Sequence, residues 1–266
     1  MPTDKHTSKK SYAGSKVLQI DGDSLQQGVS VDCVIFGFHD GNMKVLLNKF
    51  SYYTQWMLPG GFVGKEESID TAADRVLKNR TGLENVYLKQ FHTFGDWKRT
   101  KLPENEEMLI LRGFENPKDR EKHWLMQRFV SIGYYALVEY SKVKIETNED
   151  EEIAWFDLKD IPELYSDHNE ILEKALYTLR IRLSISPIGY ELLPEKFTMT
   201  EMRIIFETIL QKKLDRRNFQ RKMLAAGLVY KLDEVSKKFG VKDSALFSFD
   251  KEKYEKALTD GFLILE

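Results

Sequence analysis

The sequence has a single cysteine, Cys33, among 266 residues. One cysteine excludes an intrachain disulfide and disfavours a metal site built from thiolates, so the composition does not point to an oxidising compartment. The chain also lacks any apolar run near the roughly 20 residues that a membrane helix needs, and its polar, Lys-rich start does not have the form of a signal peptide. These absences predict a cytoplasmic protein with no membrane partner.

A large net charge is also lacking, since the formal charge is -2 at pH 7. The distribution of charge is uneven, however. Residues 196–242 hold twelve Lys and Arg against five Asp and Glu, a balance of +7, which leaves -9 for the remainder. This asymmetry indicates a nucleic-acid-binding part attached to an acidic one, with an ordinary solvated face as the alternative. At 42% hydrophobic, the chain has room for two domains.

The clearest motif, GFVGKEESIDTAADRVLKNRTGL at residues 61–83, is defined partly by missing carboxylates. It resembles a Nudix box, whose signature is a glycine, five residues, a glutamate, seven residues, then Arg-Glu-apolar-x-Glu-Glu-x-Gly-apolar. Three positions that should be glutamate are instead Val76, Asn79 and Arg80. The positions that match are Gly61, Glu67, Arg75, Gly82 and Leu83.

The three missing glutamates are those that would hold a divalent cation. Residues three and four apart share one face of a helix, so carboxylates there would present clustered oxygens to Mg²⁺. Diphosphate hydrolysis needs such cations to offset phosphate charge and to activate water. Because an apolar side chain, an amide and a cation replace them, we assign no catalytic residue, metal ligand or cofactor. The amphipathic helix itself is retained in the pattern of Ile69, Ala72, Ala73, Val76 and Leu77, ending at Gly82.

Around this helix the pattern is mostly of strands. VSVDCVIFGF and MKVLLNKF predict a hairpin, and further strands are predicted near residues 85–95, 129–141 and 153–162. A polar stretch from Asp96 to Arg128 is predicted to be a long functional loop. A strand-rich region with one helix, followed by helices, predicts the fold class α+β. The resemblance to the Nudix box implies that the first part is a Nudix-like α/β/α sandwich with a mixed sheet, and the second part is predicted to be a winged helix-turn-helix. The predicted divisions are an arm at 1–27, a Nudix-like domain at 28–165, a linker helix and loop at 166–195, and a DNA-binding domain at 196–266.

The second domain begins with two helix starts that are visible in the sequence. Thr198 and Glu201 form a capping box, and Asp215 is placed to cap a second helix that Gly227 ends. Phe219, Met223 and Leu224 fall on one side of that helix at 100° per residue. Two short strands, LVYKL and ALFSF, follow as a wing.

The other side of the second helix is basic, and such a face can enter the DNA major groove. Arginine can bond guanine bidentately there, and asparagine can bond adenine. The predicted DNA-binding residues are Thr198, Thr200, Lys212, Lys213, Arg216, Arg217, Asn218, Arg221, Lys222 and Lys242.

The chain resembles the NrtR-type family of Nudix-related transcription regulators over about residues 28–250. The resemblance rests on the Nudix-like half and on the two segments that follow it, SPIGYELLPEKFTMTE and KKLDRRNFQRKML. The resemblance implies a Nudix domain that is usually no longer hydrolytic, a homodimer on a palindromic DNA operator, and release of the DNA when an effector binds. The wing departs from the family: its usual Arg-Pro-Ala is Lys242, Asp243 and Ser244 here.

The effector differs between branches of this family, being ADP-ribose in regulators of NAD biosynthesis and a pentose in a sugar branch. Because Pro117 to Arg120 follow a longer excursion than the first branch has, the chain is predicted to be closest to the arabinose-responsive branch, as a repressor of L-arabinose utilisation genes. An ADP-ribose-responsive regulator of NAD metabolism is the alternative. The predicted effector-binding residues are Asp32, Lys49, Trp56, Phe62, Glu67, Asp119 and Arg120.

Each part of that effector set has an alternative role. Asp32, a charge inside an apolar strand, is equally explained by an ion pair with Lys49 or another strand neighbour. Trp56 and Phe62 are placed to stack on a ligand, although core packing is the commoner role of such residues, and the alternative role of Glu67 is pairing with Arg75. Two other function classes also remain: an active Nudix hydrolase that draws metal ligands from other acidic residues, and an adaptor whose basic domain binds an acidic protein.

Overall fold

The structure is a computed structural model that describes residues 24–100, 102–111, 113–145, 150–185, 190–236 and 244–260. Most of the predicted arm and the predicted DNA contact Lys242 lie outside these residues. The end of the arm is in fact strand, because the first strand already begins at Leu25.

The first domain is built on a six-stranded mixed sheet. The strands run in the order β4-β5-β1-β2-β6, with β3 paired to β1. The pair of β1 and β5 is parallel and the others are antiparallel. The predicted hairpin of β1 and β2 turns at Asp40 and Gly41, both with positive φ. The strands are β1 (Leu25–His39), β2 (Asn42–Phe50), β3 (Gly60–Gly64), β4 (Tyr87–Phe94), β5 (Val130–Leu137) and β6 (Glu151–Asp157).

One face of the sheet is covered by the predicted box helix, α1 (Ile69–Thr81). The Ser68 hydroxyl accepts a hydrogen bond from the Thr71 amide and caps the helix, which ends at Gly82 with φ 69°. The buried stripe matches the prediction except at its first position, because Ile69 is 38% exposed. Thr81 instead extends the stripe at the C-terminal end.

The opposite face is covered by the predicted linker helix, α4 (His168–Ile185). Its residues Ile171, Ala175 and Leu179 are completely buried. Helix, sheet and helix thus form the predicted α/β/α sandwich. Within the described residues, no helix has both the length and the apolar composition needed to cross a membrane.

The polar stretch after β4 is not the long loop that the sequence predicted. It folds into α2 (Pro103–Leu111), α3 (Pro117–Lys122) and a 3₁₀ turn at Trp124–Met126. The side chain of Asn116 caps α3. Two kinds of contact hold these short helices: Met108 and Leu109 of α2 are buried. The buried Arg120 side chain donates to the Phe114 and Glu115 carbonyls at 2.9 and 2.6 Å.

The second domain has the predicted helix-turn-helix and wing strands. Its sheet has the order β7-β9-β8. Both halves of the Thr198 and Glu201 capping box are formed, and the Asp215 carboxylate accepts from the Asn218 amide at 2.8 Å, so both predicted caps are confirmed. The elements are β7 (Phe197–Thr198), α5 (Met199–Leu210), α6 (Arg216–Ala225), β8 (Val229–Ser236), β9 (Ser244–Phe249) and α7 (Lys251–Asp260).

The two domains share one apolar core. Leu179 and Leu183 of α4 belong to the same buried cluster as Ile205 of α5. In addition, the Arg180 Nε donates to the Ile209 carbonyl at 2.8 Å. Helix α4 therefore connects the first sheet directly to the helix-turn-helix.

Candidate functional site

A cavity of about 900 Å³ opens in the first domain. It is lined by β1 to β3, α1, the helical segment after β4, and the start of α4. Three of the seven predicted effector-binding residues line it: Asp32, Phe62 and Glu67.

A buried charge cluster forms one part of the cavity lining. The Arg99 guanidinium, only 6% exposed, bonds both carboxylate oxygens of Asp167 at 2.8 and 3.0 Å and one oxygen of Asp32 at 3.3 Å. The Ser131 hydroxyl donates to Asp32 at 2.5 Å. Asp32, the charged residue in the apolar strand β1, is therefore paired, but its partner is Arg99 and not Lys49. No local pattern in the sequence marks Arg99 as its partner.

His168 lies beside this cluster at the first position of α4. It is buried, and its Nδ1 accepts a hydrogen bond from the Leu58 amide at 2.9 Å. Its Nε2 lies 3.8 Å from an Asp32 oxygen. Burial lowers the pKa of His168, against the opposing effect of Asp32 and Asp167. The folded protein therefore holds this imidazole neutral.

Stability should fall when the pH is lowered through the ordinary histidine value of 6.5, because the unfolded chain then takes up a proton that folded His168 does not. The slope for one group is at most about 1.4 kcal/mol per pH unit. Urea unfolding at pH 8 and pH 5.5 measures it, with His168→Gln as the comparison. Equal pH dependence in the two proteins would contradict the assignment.

Aromatic side chains form another part of the lining. Phe62 packs edge-on against Trp124, with ring centroids 4.7 Å apart. Tyr53 and Tyr165 both donate to the Asn105 side-chain oxygen, at 2.7 and 2.6 Å. Burial raises the pKa of Tyr165 to about 12, so its hydroxyl is a neutral donor. Sequence reasoning missed Tyr53 and Tyr165 because each lies in a connection with no recognisable motif.

Residues of the Nudix-box motif also line the cavity. Glu67 accepts from the Gly64 amide at 2.7 Å and from Arg75, and the hydrogen bond from Arg75 lowers its pKa. The predicted pairing of Glu67 with Arg75 is thus confirmed. Val76 packs so closely on Gly61 that a Cβ at Gly61 would lie 2.7 Å from it, which explains the glycine.

These positions do not fit the divalent cation that the Nudix fold implies. Arg80, at a position where the motif has a glutamate, donates instead to Glu151 of β6 at 2.5 Å. A guanidinium repels a cation, and Val76 and Asn79 supply no carboxylate. Among the described residues, no group of three His, Cys, Asp or Glu side chains is arranged to hold a metal ion.

Four of the described residues predicted to bind the effector do not line the cavity. Lys49 lies over the ring of Trp56, 5.9 Å from its centroid, and Trp56 packs against Phe156. Side chains alternate along a strand, so Asn48 and not Lys49 lines the cavity from β2. Asp119 is exposed on α3, and Arg120 is occupied in holding that segment together.

The second helix of the helix-turn-helix presents the predicted basic face. Phe219 and Met223 are buried against the domain, although Leu224 is 39% exposed, contrary to prediction. The side chains of Arg217 and Lys222 have no hydrogen-bond or ion-pair partner within the described residues. The exposed residues of the predicted set are Thr200, Lys212, Lys213, Arg216, Arg217, Asn218, Arg221 and Lys222.

Two members of the predicted DNA-binding set have structural roles. Thr198 is half-buried and caps α5. Lys213 pairs with buried Glu207 at 3.2 Å, and Glu207 also accepts from the Leu214 amide at 2.9 Å. These contacts hold the turn between α5 and α6.

A cavity-bearing sandwich without its metal face, joined to a winged helix-turn-helix, defines the class of this protein. The sequence matches the model of the NUDIX domain over residues 26–175 and that of the NrtR DNA-binding winged helix domain over residues 189–249. The chain belongs to the Nudix family, and its C-terminal part is a winged helix domain of the NrtR type.

Relatives share this arrangement. The chain is 29% identical over 234 residues to the "ADPR responsive transcriptional repressor NtrR" of Acinetobacter baylyi, covering 85% of this chain and 84% of the relative. It is similar to the crystal structure of Shewanella oneidensis NrtR complexed with a 27mer DNA, with 25% identity, a TM-score of 0.67, and coverage of 86% and 96% of the two chains. A MutT/nudix family protein from Enterococcus faecalis, 21% identical with a TM-score of 0.61 over 85% and 88% of the chains, shares the fold.

Proposed function

We propose that this protein is a DNA-binding transcriptional repressor that responds to a small effector. Residues 28–165, with Ser24, Leu25, Ser166 and His168 beside them, hold the effector cavity, and residues 196–266 contact DNA. The exposed basic face of α6, with Arg217 and Lys222 unpaired within the described part of the chain, supports DNA binding. The relatives named as a repressor and as a DNA complex support the same assignment.

The effector that we propose is ADP-ribose, the alternative in the sequence analysis, in place of L-arabinose. The main support is the size of the cavity. Its volume of about 900 Å³ is near the upper end of the roughly 300–1,000 Å³ of sites for drug-sized ligands, and it is large for a monosaccharide. Its aromatic pairs suit a base, and its arginines suit phosphate. The relative named as ADPR responsive supports this choice, whereas the comparisons give the arabinose hypothesis no support.

The proposal includes a homodimer on a palindromic operator. One recognition helix reads only a half-site, so specific binding needs two of them about 34 Å apart along the duplex. In the described part of the chain there is one such helix, α6.

Calorimetric titration of the purified protein with ADP-ribose and with L-arabinose tests the effector assignment. We expect saturable binding of ADP-ribose and none of L-arabinose. Binding of L-arabinose alone would restore the sugar hypothesis and overturn ours.

We also expect no Mg²⁺-dependent hydrolysis of ADP-ribose, because the three positions that should carry metal-binding glutamates are Val76, Asn79 and Arg80. The assay measures release of AMP and ribose 5-phosphate with Mg²⁺ or Mn²⁺. Turnover that disappears on adding a chelator would show an active hydrolase.

A further inference from the structure

We propose that the Arg80 guanidinium replaces the divalent cation of the Nudix site and binds the diphosphate of the effector directly, so that binding needs no metal. This inference rests on the proposed function, since it requires an effector with a diphosphate.

The first support is the change from acceptor to donor side chains on the face of α1 that carries positions 79 and 80. At positions 79 and 80 the motif has glutamates, which offer only acceptor oxygens and negative charge to a cation. Asn79 and Arg80 both line the cavity here, and both offer N–H donors. A face that binds cations has thereby become one suited to anions, since a guanidinium matches the oxygens of a phosphate group in geometry and charge.

The second support is the way Arg80 is held. Its side chain is only 17% exposed, and the single bond it makes within the described residues is to one Glu151 oxygen. The other Glu151 oxygen accepts from the Asn48 side chain at 2.9 Å. Glu151 is 6% exposed and does not line the cavity. Glu151 therefore holds the Arg80 guanidinium from outside the cavity lining and leaves most of its five N–H donors for a ligand.

The third support is a buried acceptor beside this ion pair. The Asn48 Oδ1 accepts no hydrogen bond from any residue that the structure describes, although Asn48 is 1% exposed and lines the cavity. An unpaired buried acceptor is unfavourable unless something donates to it. A ligand hydroxyl next to a phosphate group on Arg80 would supply that donor.

The test compares two variants that break the same ion pair. Arg80→Gln should weaken ADP-ribose binding roughly tenfold to hundredfold, because hydrogen bonds to a charged group are lost. Glu151→Gln keeps the guanidinium and removes its neutralising carboxylate, so binding should become tighter. Lys78→Gln removes a cation from the same helix, outside the cavity lining and paired with exposed Glu84, and should leave the affinity unchanged.

Folding and metal dependence are checked in the same titrations. The double variant Arg80→Gln with Glu151→Gln leaves no unpaired buried carboxylate and should bind as weakly as Arg80→Gln. Wild-type affinity should be the same in Mg²⁺ and in EDTA.

Three results would overturn the inference alone: wild-type affinity in Arg80→Gln, equal weakening in Arg80→Gln and Glu151→Gln, or a requirement for Mg²⁺. Failure of the wild-type protein to bind ADP-ribose would overturn this inference and the proposed effector together.

Discussion

Replacement of Arg99 by methionine is expected to lower the free energy of unfolding by about 3–5 kcal/mol, the usual cost of removing one partner from a buried ion pair. Arg99 bonds Asp32 and Asp167, whose side chains are 9% and 17% exposed. Without the guanidinium, two carboxylates remain close together with little access to water. Urea unfolding followed by circular dichroism measures the change.

A matched control is available in the same segment. Arg128→Met removes an exposed arginine that bonds only the Gly95 carbonyl within the described residues, and should cost less than about 1 kcal/mol. Adding Asp32→Asn and Asp167→Asn to Arg99→Met should recover part of the loss, because the charges at issue are then removed. An Arg99→Met protein as stable as the wild type would refute this account of the cluster.

The double variant Arg217→Ala with Arg221→Ala is expected to lose about 1–3 kcal/mol of operator affinity for each base contact removed. Both side chains are exposed on α6, which the buried residues Phe219 and Met223 hold against the domain. Fluorescence anisotropy with a duplex selected from a random pool by the wild-type protein measures the effect. The loss should be larger on this duplex than on unrelated DNA, because base contacts carry the specificity.

Lys253→Ala provides the control for charge alone. Lys253 is an exposed cation of the same domain, but it lies on α7 and pairs with Asp250 at 2.9 Å. Its removal should leave operator selection intact. If the double arginine variant bound as tightly as Lys253→Ala, the DNA-binding surface would have to lie elsewhere.

Helices α1, α4, α5 and α6 could be predicted because their signals are local. The cap at Asp215, the capping box at Thr198 and Glu201, and the glycine that ends α1 each depend on residues within one turn. The exceptions, Ile69 and Leu224, fit the helical stripe in sequence yet are 38% and 39% exposed. Periodicity gives the direction of a side chain, but not whether another element covers it.

The cavity could be predicted only in part because its residues are distant in the sequence. Asp32 was recognisable as an unusual buried charge, but its partners Arg99 and Ser131 are 67 and 99 residues away. Lys49 is nearer in the chain and was the obvious candidate. The helical fold of the segment after β4 was also hidden, since the segment is mostly polar and part of its support is the buried charged side chain of Arg120.

The most direct test of the central claim is the coupling between the two domains. Helix α4 begins in the cavity at His168 and contacts α5 through Arg180, so a ligand that moves its first turn would also move the helix-turn-helix. We expect saturating ADP-ribose to weaken operator binding by about 5–150-fold, corresponding to a coupling of roughly 1–3 kcal/mol.

By thermodynamic linkage, ADP-ribose must then bind the protein–operator complex more weakly than the free protein by the same factor. Titration of ADP-ribose into the free protein and into the complex tests this coupling, and ultracentrifugation measures the oligomeric state of the complex. Our account predicts a dimer on the operator and the weaker affinity in the complex, whereas equal affinities for the free and DNA-bound protein would contradict it.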